Sequence, residues 1–217
     1  MGKSIEGNNG IKIVKSDKRA AISQEGIIIQ HEGRPIHVEF TKVGFVYLVV
    51  DCSGSMEGDK LNQAKKGAFN FAKDALTKEY SIGLIQFESV ATHICEPTRD
   101  IEIFSKHLQR MGIGGGTNMS DAIRLATEKL KGKAGFLVMV IITDGMPDNV
   151  QAALEEANKA KKNRIDIITI GTDDADEEFL KKLASRRELN VMIASNQLEK
   201  GISSTVKMLP RYGKEGQ

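Results

Sequence analysis

The chain has 217 residues, 40% of them apolar and 28% charged, an ordinary balance for a soluble globular protein able to bury one sizeable core. Thirty-one basic residues face twenty-nine acidic ones, and the resulting formal charge of +2 excludes a nucleic-acid or membrane surface argued from charge alone. Cys52 and Cys95 make no disulfide framework and lack metal-type spacing, so a reducing, cytoplasmic compartment is expected.

The first ten residues, MGKSIEGNNG, contain no apolar stretch able to act as a signal core. Gly2 does not read as a lipidation site, because Glu6 stands where that pattern wants Ser or Thr. Residues 1–41 form an N-terminal extension in which Ile27 to Gln30 and Ile36 to Phe40 flank Gly33-Arg34-Pro35, a pattern that predicts a β-hairpin with its turn at those three residues.

Residues 42–209 carry a different rhythm. Phe45 to Val50 is apolar at nearly every position and stops at a polar DCSGS, as a central strand buried on both faces does. Leu61, Ala64, Ala68, Phe71 and Ala75 then recur at helical spacing. Ser81 to Phe87 and Ala91 to Cys95 lie too close together for a parallel crossover and predict an antiparallel hairpin at one sheet edge.

A helix over 101–110 follows, then one over Met119 to Lys131 with Ala122, Ile123, Ala126 and Leu130 on one stripe. Phe136 to Thr143 is a second all-apolar strand. Further along come a helix near 149–162, a strand at Ile165 to Ile170 and a helix near 175–185. A strand around Val191 to Ala194 and a last helix near Gln197 to Met208 complete the series. Pro210 and the residues to 217 read as a polar tail.

This alternation predicts an α/β fold: a Rossmann-like, doubly wound, mostly parallel six-stranded sheet with one antiparallel edge strand and helices on both faces. No apolar run is long enough to cross a bilayer, the longest being 45–50 and 136–142.

Ligands of doubly wound sheets bind beyond the carboxyl ends of the strands, where the two most buried strands end in acid-bearing loops. Asp51, Ser53 and Ser55 follow the first, and Asp144 follows the second. Between them, Gly114, Gly115 and Gly116 precede Thr117. Two carboxylates and three hydroxyls are hard oxygen donors; without His or Cys they suit Mg2+, with Mn2+ or Ca2+ as substitutes. Alternate positions 51, 53 and 55 can project to one side, Gly54 is expected to supply a backbone angle that a side chain resists, and Asn118 is placed to cap the next helix.

These residues resemble the metal-ion-dependent adhesion site of von Willebrand factor A domains, in which Asp-x-Ser-x-Ser is joined by a separate Thr and a separate Asp. The context also matches, with DCSGSM after one strand, GGGTNMSDAI opening a helix and ITDGMPDN after another strand, over residues 42 to 208. The resemblance implies an intracellular, prokaryotic-type single-domain member. In it Ser53 and Ser55 would meet the metal directly, Thr117 directly or through water, and Asp51 and Asp144 largely through water. It also implies a partner protein that supplies a Glu or Asp to the metal, within a larger assembly such as an AAA-type ATPase system.

Each feature also has a plainer reading. Asp51 and Ser53 taken singly are turn and cap residues, and the glycine run lacks the GxxxxGK[ST] of a phosphate cradle. Cys52 reads as an inward-packed thiol, and His31, His37, His93 and His107 show no ligand spacing. The lysines and arginines at 159–164 and 181–187 read as solvated helix ends, and the acids from Asp173 to Glu178 as dipole partners at a helix start. Two other functions remain: a Mg2+-dependent phosphoryl hydrolase using Asp51, and a structural subunit whose metal only stiffens loops. Against the hydrolase, Ser53 stands where a second acid would follow Asp51, and no Lys or His is evident as a general acid.

Overall fold

The structure, a computed structural model, describes residues 43–211 in full and, ahead of them, the backbone of 5–6, 11–15, 26–31 and 34–40. It divides into two compact units, Met1–Val43 and Gly44–Gln217.

In the first unit, strands β1 (Ile5–Glu6), β2 (Ile11–Lys15), β3 (Gly26–His31) and β4 (Arg34–Phe40) form an antiparallel sheet in the order β1-β2-β4-β3. The expected hairpin is present as β3 and β4, but His31 pairs with Arg34 and Gln30 with Pro35, so Arg34 and Pro35 belong to a strand and not to the turn. Residues 32–33 lie outside the described residues. Two strands beyond the hairpin were not anticipated, although Ile11-Lys12-Ile13 carries the period-two alternation that marks β2.

The second unit holds a six-stranded sheet in the order β10-β9-β8-β5-β6-β7. Its strands are β5 (Gly44–Asp51), β6 (Tyr80–Phe87), β7 (Ala91–Thr98), β8 (Phe136–Thr143), β9 (Ile165–Thr172) and β10 (Asn190–Ile193). Every pairing is parallel except β6 with β7, as the short connection between them requires. The edge strand β7 runs past Cys95 to Thr98, carries Pro97 and is irregular in register against β6, all features tolerated at an edge.

Helices α1 (Asp59–Leu76), α2 (Ile101–Gln109) and α6 (Leu198–Ser204) cover one face; α3 (Met119–Leu130), α4 (Val150–Lys162) and α5 (Glu177–Leu183) cover the other. The strands divide their side chains between the two layers by their period of two. Val46, Leu48 and Val50 of β5 join the first core and Tyr47 and Val49 the second, while Val138, Val140 and Ile142 of β8 oppose Leu137, Met139 and Ile141.

Helix ends follow from local chemistry. Asp100, Asn118, Asn149 and Asp176 each accept a backbone N–H from the first turn of α2, α3, α4 and α5. That cap at Asp176, and the extended backbone at Ala184, make α5 shorter than the expected 175–185. The last helix likewise stops at Ser204, and a 3-10 turn over Thr205–Met208 continues to the end of the fold. Residues 212–217 of the expected tail lie outside the described residues.

Candidate metal centre

From β5 the chain passes to β6 on one side of the sheet, and β8 later adds on the other, so the strand order reverses between β5 and β8. A crevice opens at the carboxyl ends of strands at such a point. Asp51 is the last residue of β5 and Asp144 the first after β8, which brings residues 93 positions apart to one place.

Asp51 is fully buried, and both of its oxygens are engaged. Oδ1 accepts the Ser53 N–H at 2.9 Å, and Oδ2 accepts the Thr143 hydroxyl at 2.6 Å. Burial away from water holds the Asp51 carboxyl above its ordinary range; the bonds from Thr143 and Ser53 pull it down, and the charge of Asp144 adds to the upward push.

Beyond Asp51 the chain turns through a 3-10 segment, Gly54–Met56, pinned by the buried Met56 side chain and by the Met56 N–H donating to Ser53 O at 3.0 Å. The turn presents Ser53 and Ser55 together, their hydroxyls 3.1 Å apart. Ser55 donates in turn to Asp144 Oδ1 at 2.7 Å.

Four of the five residues selected by sequence are thus joined in one oxygen cluster. Thr117 is held nearby by its backbone: its N–H donates to Asp148 Oδ2 at 3.0 Å, and its carbonyl accepts the Asp148 N–H at 3.0 Å. The loop is tied on by Gly114 N–H to Cys52 O at 2.8 Å, Asn118 N–H to Glu88 O at 2.6 Å and Gly116 N–H to Ser89 Oγ at 2.9 Å. Among the described residues, the Thr117 hydroxyl has no hydrogen bond to the other four.

The glycines act differently from expectation in one case. Gly54 has no left-handed backbone and a Cβ there would meet open space, so its role is not conformational; Gly58, with φ +82, is the residue that needs glycine before α1. In the Thr117 loop close approach is the reason: a Cβ on Gly114 would fall 2.5 Å from the Glu88 side chain, and one on Gly116 2.9 Å from Asp148 Oδ2.

The donor set fits a small divalent cation. Ser53, Ser55 and Asp144 bring hard oxygens to within 3.1 and 2.7 Å of one another through their hydrogen bonds, the donor chemistry that Mg2+ takes. Among the described residues no three His, Cys, Asp or Glu side chains gather at one point, so this set is distinctive in relying on hydroxyls. The carboxylates are withdrawn, with Asp51 0% and Asp144 1% exposed, whereas Ser55 is exposed. Ser53, at 4%, is buried with the acids, so the cluster reaches solvent through Ser55.

Sequence reasoning missed Lys60. Its ammonium, on the first turn of α1, lies 2.6 Å from Asp144 Oδ2 and 3.0 Å from Asp174 Oδ2, and the bond to Asp144 raises its pKa. The expectation that no lysine accompanies these loops is therefore corrected, as is the reading of Asp174 as a dipole partner alone. Only folding sets Lys60 beside acids 84 and 114 positions away. Thr143 and Asp148, the supports of Asp51 and Thr117, also went unremarked, although both adjoin Asp144 in sequence or within its loop.

The plainer readings fare as follows. Cys52 is buried and burial pushes its thiol up to about 12, far from a reactive thiolate. His93 bonds to the Tyr47 hydroxyl at 3.0 Å. Lys159 pairs with Glu156, and Lys181 with Glu177 and Glu178. The side chains of His31 and His37 lie outside the described residues.

Five large apolar side chains are exposed among the described residues: Val90, Ile103, Ile113, Met146 and Val150. All but Ile103 stand on, or next to, the three loops that hydrogen-bond around Thr117.

A family model described as the von Willebrand factor type A domain matches residues 46–204. Among curated proteins, the magnesium-chelatase 67 kDa subunit of Heliobacterium mobile is 30% identical over 105 residues, 46% of this chain and 16% of that protein. Among solved structures, the vWF domain of the type V pili tip protein Mfa5 from Porphyromonas gingivalis superposes with a TM-score of 0.70 at 14% identity, over 80% of this chain and 98% of that one. Proximal thread matrix protein 1 from the mussel byssus, with zinc occupying its MIDAS motif, gives 0.66 at 18% identity over 76% and 45%. At such identities the structural likeness establishes the fold alone.

Proposed function

The chain belongs to the von Willebrand factor type A domain family, and from that premise we propose that it is a protein-binding module that holds one divalent cation, Mg2+, at Asp51, Ser53, Ser55, Thr117 and Asp144. The cation would recognise an acidic side chain of a partner. The observation that carries this reading is the convergence of hard oxygens from Ser53, Ser55 and Asp144, hydrogen-bonded to one another at the reversal point of the sheet.

Ser53 and Ser55 would hold the ion directly. Asp51 orients the Ser53 backbone and, with Asp144, offsets charge from the buried side. Thr117 would close the set from its glycine-supported loop. When bound, the ion supplies concentrated positive charge that two withdrawn carboxylates only partly neutralise, and this attracts an anionic oxygen. The exposed apolar side chains of Val90, Ile113, Met146 and Val150 would pack against the partner around that carboxylate.

Hydrolysis is the weaker reading. An aspartate nucleophile needs a free, reachable oxygen, and Asp51 is buried with both oxygens bonded. Among the described residues no helix is long and apolar enough to cross a membrane. The free thiols of Cys52 and Cys95 support a cytoplasmic setting, and a partner within an AAA-type ATPase assembly is part of the same proposal.

The test is affinity capture from native lysate with the full chain as bait, in Mg2+, in EDTA, and with Asp51→Ala in Mg2+. A partner retained only by the unaltered chain in Mg2+ supports the reading. Equal retention in all three sinks it, and Mg2+-dependent phosphoester turnover lost in Asp51→Ala would favour the hydrolase.

A further inference from the structure

We propose that Lys60 is a resident counter-charge that weakens cation binding at this centre and keeps the bound ion electrophilic, with Asp174 as the outer anchor that draws the ammonium away. The inference rests on the reading of the five-residue set as a cation site.

Each oxygen of the buried Asp144 side chain has its own donor. Ser55 takes Oδ1 at 2.7 Å, and the Lys60 ammonium takes Oδ2 at 2.6 Å. The Lys60 side chain is 23% exposed, and its ammonium lies directly against the buried carboxylate of Asp144, so its charge acts on the centre at contact distance. The same ammonium reaches Asp174, 67% exposed, at 3.0 Å. Asp174 stands in the loop between β9 and α5, where the neighbouring Asp173 accepts the Ser195 N–H at 3.0 Å and fixes the loop.

Two carboxylates and one ammonium leave a single net negative charge at the centre to face a dipositive ion. Two effects follow from Coulomb attraction and repulsion. The ion is held less tightly than two acids alone would hold it, and more of its charge is left for an incoming carboxylate. An ammonium shared between two acids also has somewhere to go: as it moves toward Asp174, Asp144 Oδ2 becomes free to face the ion or its water. Asp174 therefore favours the cation although it lies outside the donor set.

A pair that served only to fasten α1 to the loop after β8 would behave differently. Its loss would lower the melting temperature and leave cation affinity alone.

The experiment is calorimetric titration of the full chain with Mn2+, for the unaltered protein and for Lys60→Met, Lys60→Arg, Asp174→Asn and Ser53→Ala. Lys60→Met is expected to bind on the order of tenfold more tightly, and Lys60→Arg, which keeps the charge, to stay near the unaltered value. Asp174→Asn, an exposed position whose change spares the core, is expected to bind several-fold more weakly. Affinities for Lys60→Met and Asp174→Asn within twofold of the unaltered protein would overturn the role of Lys60 while leaving the cation site standing. An unaltered chain that takes up no Mn2+, or takes it up equally well as Ser53→Ala, would overturn the site and this inference together.

Discussion

At the scale of single residues, the centre stores an unfavourable charge. Burial raises the Asp51 pKa above its ordinary 3.8, so the folded state favours the protonated acid. Its contribution to stability is fully present below 3.8 and is lost as pH rises through the higher folded value. The ionised form of Asp51 is a cost to the folded state that a bound cation would relieve. Asp51→Asn is therefore expected to melt higher than the unaltered chain in EDTA and to lose the Mg2+-dependent rise, which scanning fluorimetry with and without Mg2+ would measure. For the unaltered chain, Mg2+ at a hundred times its Kd should add about 2.7 kcal/mol. His93 has the opposite sign. Burial at its place on β7 lowers its pKa below the ordinary 6.5, so its contribution is present above 6.5 and is lost as pH falls through the lower folded value. Melting temperature should drop between about pH 7 and pH 5, and His93→Gln should flatten part of that drop. These residues were unequally legible. Asp51 and Ser53 sit in one short motif, whereas Lys60 looks in sequence like any helix-start lysine until the fold brings Asp144 to it.

Elements are held by close approach as well as by apolar stripes. Gly67 lies on the face of α1 against α6, where a Cβ would come 2.9 Å from Glu199 O and from Ile202 Cβ. Gly67→Leu should separate the two helices and cost about 1–3 kcal/mol in chemical denaturation, with α1 still helical by circular dichroism. In the Thr117 loop a side chain at Gly116 would displace Asp148, whose carboxylate holds the Thr117 N–H. Gly116→Val should weaken Mn2+ binding with little change in melting temperature, because Gly114 to Thr117 contribute no core residue, the loop's own core contact being Met111. Strands and helices of the second unit were readable from periodicity alone, since their apolar positions repeat at 2 or 3.6. Their ends were less so. Helix α5 starts at Glu177 under the Asp176 cap and stops at Leu183 on the backbone angles of Ala184, and β7 runs past Cys95 because β6 offers it partners up to Thr98.

For the molecule as a whole, both apolar cores found among the described residues consist of residues from 45 to 209. A fragment of residues 44–211 is expected to unfold in one cooperative transition and to keep its Mg2+ protection; loss of cooperativity in a urea melt would refute that. The apolar side chains gathered at the site edge belong to this scale too. Met146→Asp should abolish Mg2+-dependent partner capture while leaving Mn2+ affinity within about twofold, because an exposed interface side chain contributes to docking and not to coordination. The sequence by itself determined the α/β alternation, the six strands of the main sheet and the antiparallel edge, because strand burial is written in local pattern, and it named five oxygen-bearing residues of which the fold joins four by hydrogen bonds. Tertiary structure alone decided the strand order that brings Asp51 to Asp144, the burial of both acids, and the ammonium of Lys60 between Asp144 and Asp174. Those are distances between residues far apart in the chain, and they come into being only when the sheet is assembled.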